Sequence, residues 1–224
     1  MLSHTEIKKL IQQQGVLPLF FHEDADISIE ILKALYNAGI RVIEYTNRGD
    51  TALENFKKLK DVCAVDYKDM CLGIGTIKSA DAANAFIKAG ADFLISPAWV
   101  DEVHDTCAEH NYFWIPGCMT STEIAKAENK GITLIKLFPG SLLGPSYVTA
   151  IKEVFPALSF MPTGGVSLDK ANLEAWFNSG VMAVGMGSKL IAKEILATKN
   201  YTEITRLTKQ VIDIITAIRL SKNE

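Results

Sequence analysis

One lysine lies inside a segment that otherwise has the composition of a buried strand. Lys136 is flanked by Leu134, Ile135, Leu137 and Phe138, and such runs are typical of parallel strands covered on both faces. Burial disfavours the charged form of a lysine, and a neutral amine can attack a ketone to form a Schiff base. A covalent catalytic role is therefore one interpretation of Lys136. The alternative is a strand-end lysine whose stem is buried while its ammonium group reaches solvent.

A carboxylate near the end of an earlier strand is the second candidate. Glu44 and Thr46 share one face of this strand, because side chains alternate along it. On an inward face Glu44 needs a partner or a chemical task, since an unpaired buried charge is unfavourable. It is either a general acid/base beside Lys136 or a structural ion pair with Arg48 or Lys136. Because direct contact with a carboxylate would favour the ammonium form, we expect a water between Glu44 and Lys136, or a shared proton.

Two pairs of small residues follow the last two predicted strands and suggest an anion site. Gly164 and Gly165 follow one strand, and Gly187 and Ser188 follow the next. Glycines let backbone N–H groups approach a phosphate closely, and a helix N-terminus adds further donors. Either pair alone is explained as ordinary turn residues, but two pairs on consecutive strand ends favour phosphate binding. Lys189 either adds positive charge there or lies on a helix surface.

A repeating pattern of short apolar strands and amphipathic helices must position these residues. Strands are predicted at 16–21, 41–46, 71–75, 93–97, 113–117, 134–138, 158–162 and 183–185. Helices are predicted at 27–37, 51–60, 79–89, 100–109, 121–129, 145–154, 169–178 and 188–195, with an N-terminal helix before them and an additional helix at 203–220. Chemistry in such a fold belongs at the carboxyl ends of the strands, where all the candidates above lie.

The number of strand–helix units sets the predicted fold class. Eight units without a linker favour an α/β fold, specifically a closed (β/α)8 TIM barrel that forms a single domain over residues 1–224. An open doubly wound sheet is the alternative, although eight strands would make it unusually large for this chain length.

Composition argues against several other classes of protein. The chain has 224 residues, 48% hydrophobic residues and a formal net charge of −3, which gives no reason to expect nucleic acid as a partner. No run is apolar enough to span a bilayer and no signal peptide is recognised, so we predict a cytoplasmic protein without a membrane partner. The four cysteines form no CxxC pair and the four histidines lack the spacing of metal ligands, so no metal is expected.

Six short motifs, taken together, resemble those of the class I pyruvate aldolases. The similarity is to the 2-keto-3-deoxy-6-phosphogluconate (KDPG) and 4-hydroxy-2-oxoglutarate (KHG) aldolases, and its motifs are residues 41–48, 73–76, 95–97, 115–117, 135–139 and 162–165. The resemblance implies a Schiff base at Lys136 and acid/base chemistry by Glu44. It further implies a pyruvate and carboxylate site formed by Arg48, Thr76, Pro97 and Thr163, with Pro139 lining the pocket, and a phosphate site formed by Gly164, Gly165, Gly187 and Ser188.

The same resemblance implies an activity and an assembly. The expected enzyme is a carbon–carbon lyase of carbohydrate metabolism, in the Entner–Doudoroff route, that cleaves KDPG to pyruvate and glyceraldehyde 3-phosphate. Cleavage of KHG to pyruvate and glyoxylate is a second expected reaction. The family resemblance implies a homotrimer acting on a small-molecule substrate, with no cofactor and no metal.

Some positions depart from the family pattern. Ala98 stands where a glycine is common, Gly140 stands where alanine is usual, and His22 lies near a position where some relatives carry an arginine. These departures leave open the stereochemical preference at C4 and the preference between phosphorylated and unphosphorylated substrates.

Two other functions fit parts of the pattern. A metal-independent phosphosugar isomerase or synthase barrel would share the phosphate loops but would use acid/base chemistry without a covalent lysine. A non-catalytic protein would bind sugar phosphates and form no retro-aldol product. Capture of pyruvate on Lys136 distinguishes the aldolase from both.

Overall fold

A computed structural model describes residues 2–222 of the chain. Its helices are α1 (His4–Gln14), α2 (Ala25–Asn37), α3 (Ala52–Asp66), α4 (Ala80–Lys88), α5 (Asp101–Glu109), α6 (Ser121–Asn129), α7 (Gly140–Val154), α8 (Lys170–Asn178), α9 (Lys193–Ala197) and α10 (Tyr201–Leu220). Its strands are β1 (Val16–Phe20), β2 (Val42–Thr46), β3 (Cys71–Gly75), β4 (Leu94–Ile95), β5 (Trp114–Ile115), β6 (Gly117–Cys118), β7 (Leu134–Leu137), β8 (Ser159–Pro162) and β9 (Val184–Met186). Strands and helices alternate along most of the chain, which confirms the predicted α/β class.

The strands form two parallel sheets. One sheet has the order β5-β4-β3-β2-β1-β9 and the other has the order β6-β7-β8. Only Pro116 separates β5 from β6, and a proline has no N–H group to donate to a neighbouring strand. Thr163, the residue after β8, forms an isolated parallel bridge with Gly185 of β9. The predicted strand at 113–117 is therefore present as two short strands with Pro116 between them.

Apolar side chains divide into two buried clusters. The larger one packs the helices against the outer faces of the sheets and contains Trp176 and Phe56. The smaller cluster takes residues near the starts of the strands, such as Leu17 and Phe93, and packs them against Ile7 and Ile11 of α1. Helix α1 therefore lies across the amino ends of the strands. The carboxyl ends of the strands are therefore open to polar residues.

Capping residues explain where several helices begin. Ser3 and Glu6 form a reciprocal capping box at the start of α1, and Thr120 and Glu123 do the same for α6. These pairs satisfy backbone N–H groups that have no partner inside the helix. Among the described residues, no helix combines the length and the apolar character needed to cross a bilayer.

Two predicted helices differ from the structure. The prediction at 188–195 is wrong at its start, because residues 188–190 form a turn and α9 begins only at Lys193. The N–H groups of Leu190 and Ile191 both donate to the carbonyl of Gly187, which produces this turn. Helix α7 begins at Gly140 rather than at 145, with a break at Gly144 (φ 72°, ψ 169°) before the predicted segment.

Candidate active site

Lys136 and Glu44 meet inside the protein although their strands are not neighbours. Lys136 lies on β7 and Glu44 lies on β2, and the Lys136 Nζ is 3.2 Å from Glu44 Oε1 and 3.4 Å from Oε2. Lys136 is 5% exposed and Glu44 is fully buried. This arrangement rules out the interpretation of Lys136 as a strand-end lysine whose ammonium reaches solvent. It places an amine and a carboxylate where a proton can pass between them.

The contact between the two side chains is direct. Both oxygens of Glu44 lie within bonding distance of Nζ, so the predicted water between the two groups is wrong. The other expected arrangement, a shared proton, is compatible with this geometry. Arg48 is not the partner of Glu44, because the only described ion pair of Glu44 is with Lys136.

A glycine on the neighbouring strand makes room for the Glu44 carboxylate. A Cβ atom built on Gly75 would lie 2.5 Å from Cδ and 2.8 Å from Cγ of Glu44, and would overlap Oε1. Any side chain at this position would displace the carboxylate from its place beside Lys136. On the other side of the pair, Nζ lies 5.7 Å from the centre of the Phe138 ring, within the range of a cation–π contact.

The predicted carboxylate-binding residues lie at the carboxyl ends of β2, β3 and β4. Arg48 follows β2 and is exposed, and its guanidinium has no hydrogen-bond or ion-pair partner among residues 2–222. Thr76 follows β3 with a φ of 63°, a backbone conformation that a β-branched residue rarely adopts. Pro97 follows β4 and is half-buried, and its backbone lies where a Cβ atom on Gly117 would be. No described contact joins these residues to the Lys136–Glu44 pair.

Thr163 combines burial with an unsatisfied hydroxyl group. It lies directly after β8, is 6% exposed, and its Oγ1 has no hydrogen-bond partner in the described part of the chain. A Cβ atom on Gly185 of the adjacent strand would overlap this hydroxyl, so the glycine provides its space. A buried hydroxyl without a partner is unfavourable, and a bound ligand would satisfy it.

The predicted phosphate residues lie on two adjacent strand ends. Gly164 (φ 88°) and Gly165 (φ 72°) follow β8, and both are in the left-handed region that glycine favours. Gly187 and Ser188 follow β9, and Ser188 is exposed. Thr163, which follows β8, forms a bridge with Gly185 of β9, and this bridge brings the two pairs to the same end of the strands.

Sequence reasoning missed the start of α7 at this edge. The N–H group of Gly140 donates to the carbonyl of Thr163 at 2.8 Å. A Cβ atom on Gly165 would lie 2.9 Å from the backbone nitrogen of Ser141, so the first turn of α7 packs against the loop after β8. The small residues Gly140 and Ser141, placed directly after Pro139, were the signal that could have indicated this contact.

Other ionisable groups near the strands have ordinary structural explanations. Burial raises the pKa of the Cys118 thiol to about 12, and burial also raises the pKa of the other three cysteines. These thiols are therefore protonated at neutral pH and are poor nucleophiles. Within residues 2–222, no group of three or more histidine, cysteine, aspartate or glutamate side chains is arranged to hold a metal ion.

Comparisons with known proteins agree with one family. Residues 7–207 match the family model "KDPG and KHG aldolase". The chain is 31% identical to the 2-dehydro-3-deoxy-phosphogluconate aldolase of Treponema pallidum, in an alignment that covers 93% of this chain and 97% of the relative. It is 26% identical to the KHG/KDPG aldolase of Escherichia coli K12, in an alignment that covers 93% of this chain and 96% of the relative. The structure is similar to that of a KDPG aldolase from Legionella pneumophila with pyruvate captured as a covalent carbinolamine, with a TM-score of 0.84, 27% identity and coverage of 92% and 97%.

Proposed function

The chain belongs to the family of KDPG and KHG aldolases, and from this premise we propose that it is a class I aldolase that cleaves KDPG to pyruvate and glyceraldehyde 3-phosphate. The observation that carries this proposal is the buried, direct contact between Lys136 and Glu44. An amine beside a carboxylate in a water-poor site provides both the nucleophile and the proton acceptor that a Schiff-base mechanism needs. Cleavage of KHG to pyruvate and glyoxylate is the second reaction that this site supports.

Formation of the Schiff base begins with a proton transfer. Glu44 accepts a proton from the Lys136 ammonium through the direct hydrogen bond, and the neutral amine attacks the C2 carbonyl of the substrate. The protonated Glu44 gives this proton to the C2 oxygen, then takes a second proton from the attached nitrogen and delivers it to the same oxygen, which leaves as water. The product of these steps is an iminium ion that joins C2 of the substrate to Nζ.

Carbon–carbon cleavage uses the same carboxylate a second time. Glu44 removes the proton of the C4 hydroxyl group, the C3–C4 bond breaks, and its electron pair moves into the iminium. Glyceraldehyde 3-phosphate leaves, and an enamine of pyruvate remains on Lys136. Protonation of C3 and attack by water on C2 release pyruvate and restore the free lysine.

The remaining predicted residues bind the two ends of the substrate in this proposal. Within residues 2–222, the Arg48 guanidinium, whose geometry matches a carboxylate, and the buried Thr163 hydroxyl both lack a partner, so both are available to the substrate. Thr76 and Pro97 follow β3 and β4, the next two strands of the same sheet, and complete the pyruvate site.

The phosphate group is assigned to the opposite side of the site. Gly164, Gly165, Gly187 and Ser188 would hold it, and the first turn of α7 would add N–H donors. The left-handed glycines and the close packing of Ser141 against this loop support the assignment.

The architecture and assembly are part of the same proposal. We propose that residues 1–224 form one domain in which the two sheets close into a (β/α)8 barrel. The single-residue gap at Pro116 and the bridge between Thr163 and Gly185 support closure at both junctions. A homotrimer in the cytoplasm is the expected form of the enzyme.

A borohydride trap tests the proposed chemistry. The protein is incubated with pyruvate, reduced with sodium borohydride, digested and analysed by mass spectrometry. We expect a reduced pyruvate adduct on Lys136 and on no other lysine, because Lys136 is the buried amine in contact with a carboxylate. Lys8, a half-buried lysine whose Nζ donates to the carbonyl of Thr133, is the internal control in the same digest.

Two outcomes would contradict the proposal. An adduct on Lys8 or on surface lysines at the same level would show non-specific reduction. Binding of pyruvate without any adduct on Lys136 would remove the covalent mechanism and favour the isomerase or synthase alternative.

A further inference from the structure

A cavity lies near the amino ends of the strands, away from the candidate active site. It has a volume of about 450 Å³ and is lined by residues of α1 and α5 and by the segments that lead into β5 and β7. Phe113 and Thr133, which line it, directly precede β5 and β7. Since Lys136 lies further along β7 and its partner Glu44 lies on β2, the cavity is separate from the candidate active site. Its size is within the range of small-molecule sites.

The charged side chains that line this cavity are all basic. Lys8 and Lys130 provide two ammonium groups, His4 and His104 provide two imidazoles, and no aspartate or glutamate among the described residues lines it. This is unexpected in a chain whose formal net charge is −3. A cavity with this lining attracts anions.

Lys8 is a partly buried cation in the wall of this cavity. It is half-buried, and its Nζ donates to the carbonyl of Thr133 at 2.9 Å. No carboxylate within residues 2–222 forms an ion pair with it, and burial lowers the pKa of its ammonium group. A partly buried cation without a counter-ion is unfavourable, and a bound anion would remove that cost.

Helix α1 forms part of the cavity wall. Its residues His4, Thr5 and Lys8 line the cavity, while the N–H groups at the helix start are satisfied by the capping box of Ser3 and Glu6. The carboxyl ends of α5 and α6 are also close, but the carbonyls of their last turns are already bonded to following N–H groups such as those of Asn111 and Gly131.

Aromatic and imidazole side chains of the cavity wall indicate the chemical nature of the rest of the ligand. Phe113, Tyr112 and Trp114 form an apolar wall, and the ring of His4 lies 5.5 Å from that of Phe113. His104 also lines the cavity, and its Nδ1 lies 2.8 Å from the carboxylate of Asp105. A ligand therefore needs an apolar or aromatic body as well as a negative charge.

We propose that this cavity is a binding site for a small organic anion, a carboxylate or a phosphate ester with an apolar or aromatic body. Lys8 and Lys130 neutralise the anion, and the wall formed by Phe113, Tyr112 and Trp114 packs against the body of the ligand. The proposal does not depend on the aldolase mechanism, because none of these residues belongs to the candidate active site.

Calorimetric titration with phenyl phosphate, benzoate and the neutral benzyl alcohol tests the proposal. We expect the wild-type protein to bind at least one of the two anions and to bind benzyl alcohol about tenfold or more weakly, because the ion pairs with Lys8 and Lys130 would be missing. The stronger of the two anions identifies the class of the natural ligand.

Three variants locate the binding site. Lys8→Gln should weaken anion binding about tenfold. Ala108→Trp, at an exposed position on the cavity rim, should block binding without a change of charge. Lys9→Gln is the matched control, because Lys9 is an exposed lysine on the same helix that does not line the cavity, and it should bind as the wild type does.

Three results would overturn the proposal. The first is the absence of anion binding to the wild type. The second is equal binding by Lys8→Gln, Ala108→Trp and the wild type, which would place the ligand elsewhere, including at the active site. The third is a change of oligomeric state in Ala108→Trp on gel filtration, which would identify the cavity as part of a subunit interface.

Discussion

Replacement of Gly75 by alanine tests whether the position of the Glu44 carboxylate controls catalysis. The new Cβ atom would lie 2.5 Å from Cδ of Glu44. To restore an ordinary contact of about 3.5 Å, the carboxyl carbon has to move about 1 Å. Because the two bonds to the Lys136 Nζ are already 3.2 and 3.4 Å long, a shift of this size away from Nζ breaks them.

The expected effect on activity is larger than the effect on stability. A misplacement of about 1 Å in a catalytic group costs about 10²-fold in rate. Overpacking of a buried site destabilises a protein by about 1–3 kcal/mol, and the lower entropy of the unfolded alanine chain offsets less than about 1 kcal/mol of that. Pyruvate release from KDPG measures the first quantity, and thermal or urea unfolding measures the second.

Gly73→Ala is the matched control for this variant. Gly73 lies on the same strand and on the same face, and the three atoms nearest to its added Cβ would all belong to the ring of Phe93. We expect Gly73→Ala to lose stability while it keeps most of its activity.

The double variant Gly75→Ala/Glu44→Asp should regain stability, because the shorter side chain withdraws from the new methyl group, yet its rate of KDPG cleavage should stay low. Full activity in Gly75→Ala, or equal losses of activity in Gly75→Ala and Gly73→Ala, would refute the reasoning.

Three further predictions concern individual groups. Lys136→Arg should abolish turnover and borohydride trapping, since a guanidinium does not form the Schiff base, and retained turnover would favour the isomerase or synthase alternative. Arg48→Gln should raise KM for KDPG about tenfold or more and change kcat little, because it removes a charge-assisted bond to the substrate carboxylate; an unchanged KM would contradict that role. The four cysteine thiols, whose pKa values are raised by burial, should resist iodoacetamide at pH 8 until urea unfolds the protein, and rapid labelling of the native protein would contradict their burial.

The pairing of Lys136 with Glu44 could be predicted from the sequence because it depends on strand alternation. Each residue falls on an inward position of a strand, and the ends of parallel strands come together in this class of fold. The direct contact between them could not be predicted, since their separation depends on the space that Gly75 leaves on the adjacent strand. A residue without a side chain gives no sign, in a single sequence, of which neighbour it accommodates.

The errors in helix boundaries have a similar origin. The pattern after Gly187 is compatible with an early helix, but a turn closed on the Gly187 carbonyl buries Leu190 and delays α9. Likewise, the pair Gly144–Pro145 was interpreted as the start of a helix, whereas the chain already forms a helical turn from Gly140 to pack against the loop after β8. Both outcomes depend on contacts with distant segments, which local patterns do not contain.

Helix α1 has a consequence for the order in which products leave. Its residues Ile7 and Ile11 pack against the amino ends of the strands, so the proposed barrel is open to a substrate at the carboxyl ends. In the proposed reaction, pyruvate is tethered to Lys136, and the aldehyde lies between it and that opening. The aldehyde therefore departs first, and pyruvate departs last. In the direction of synthesis this order reverses, so pyruvate must bind first. An aldehyde that binds before pyruvate blocks its access to Lys136 and does not react.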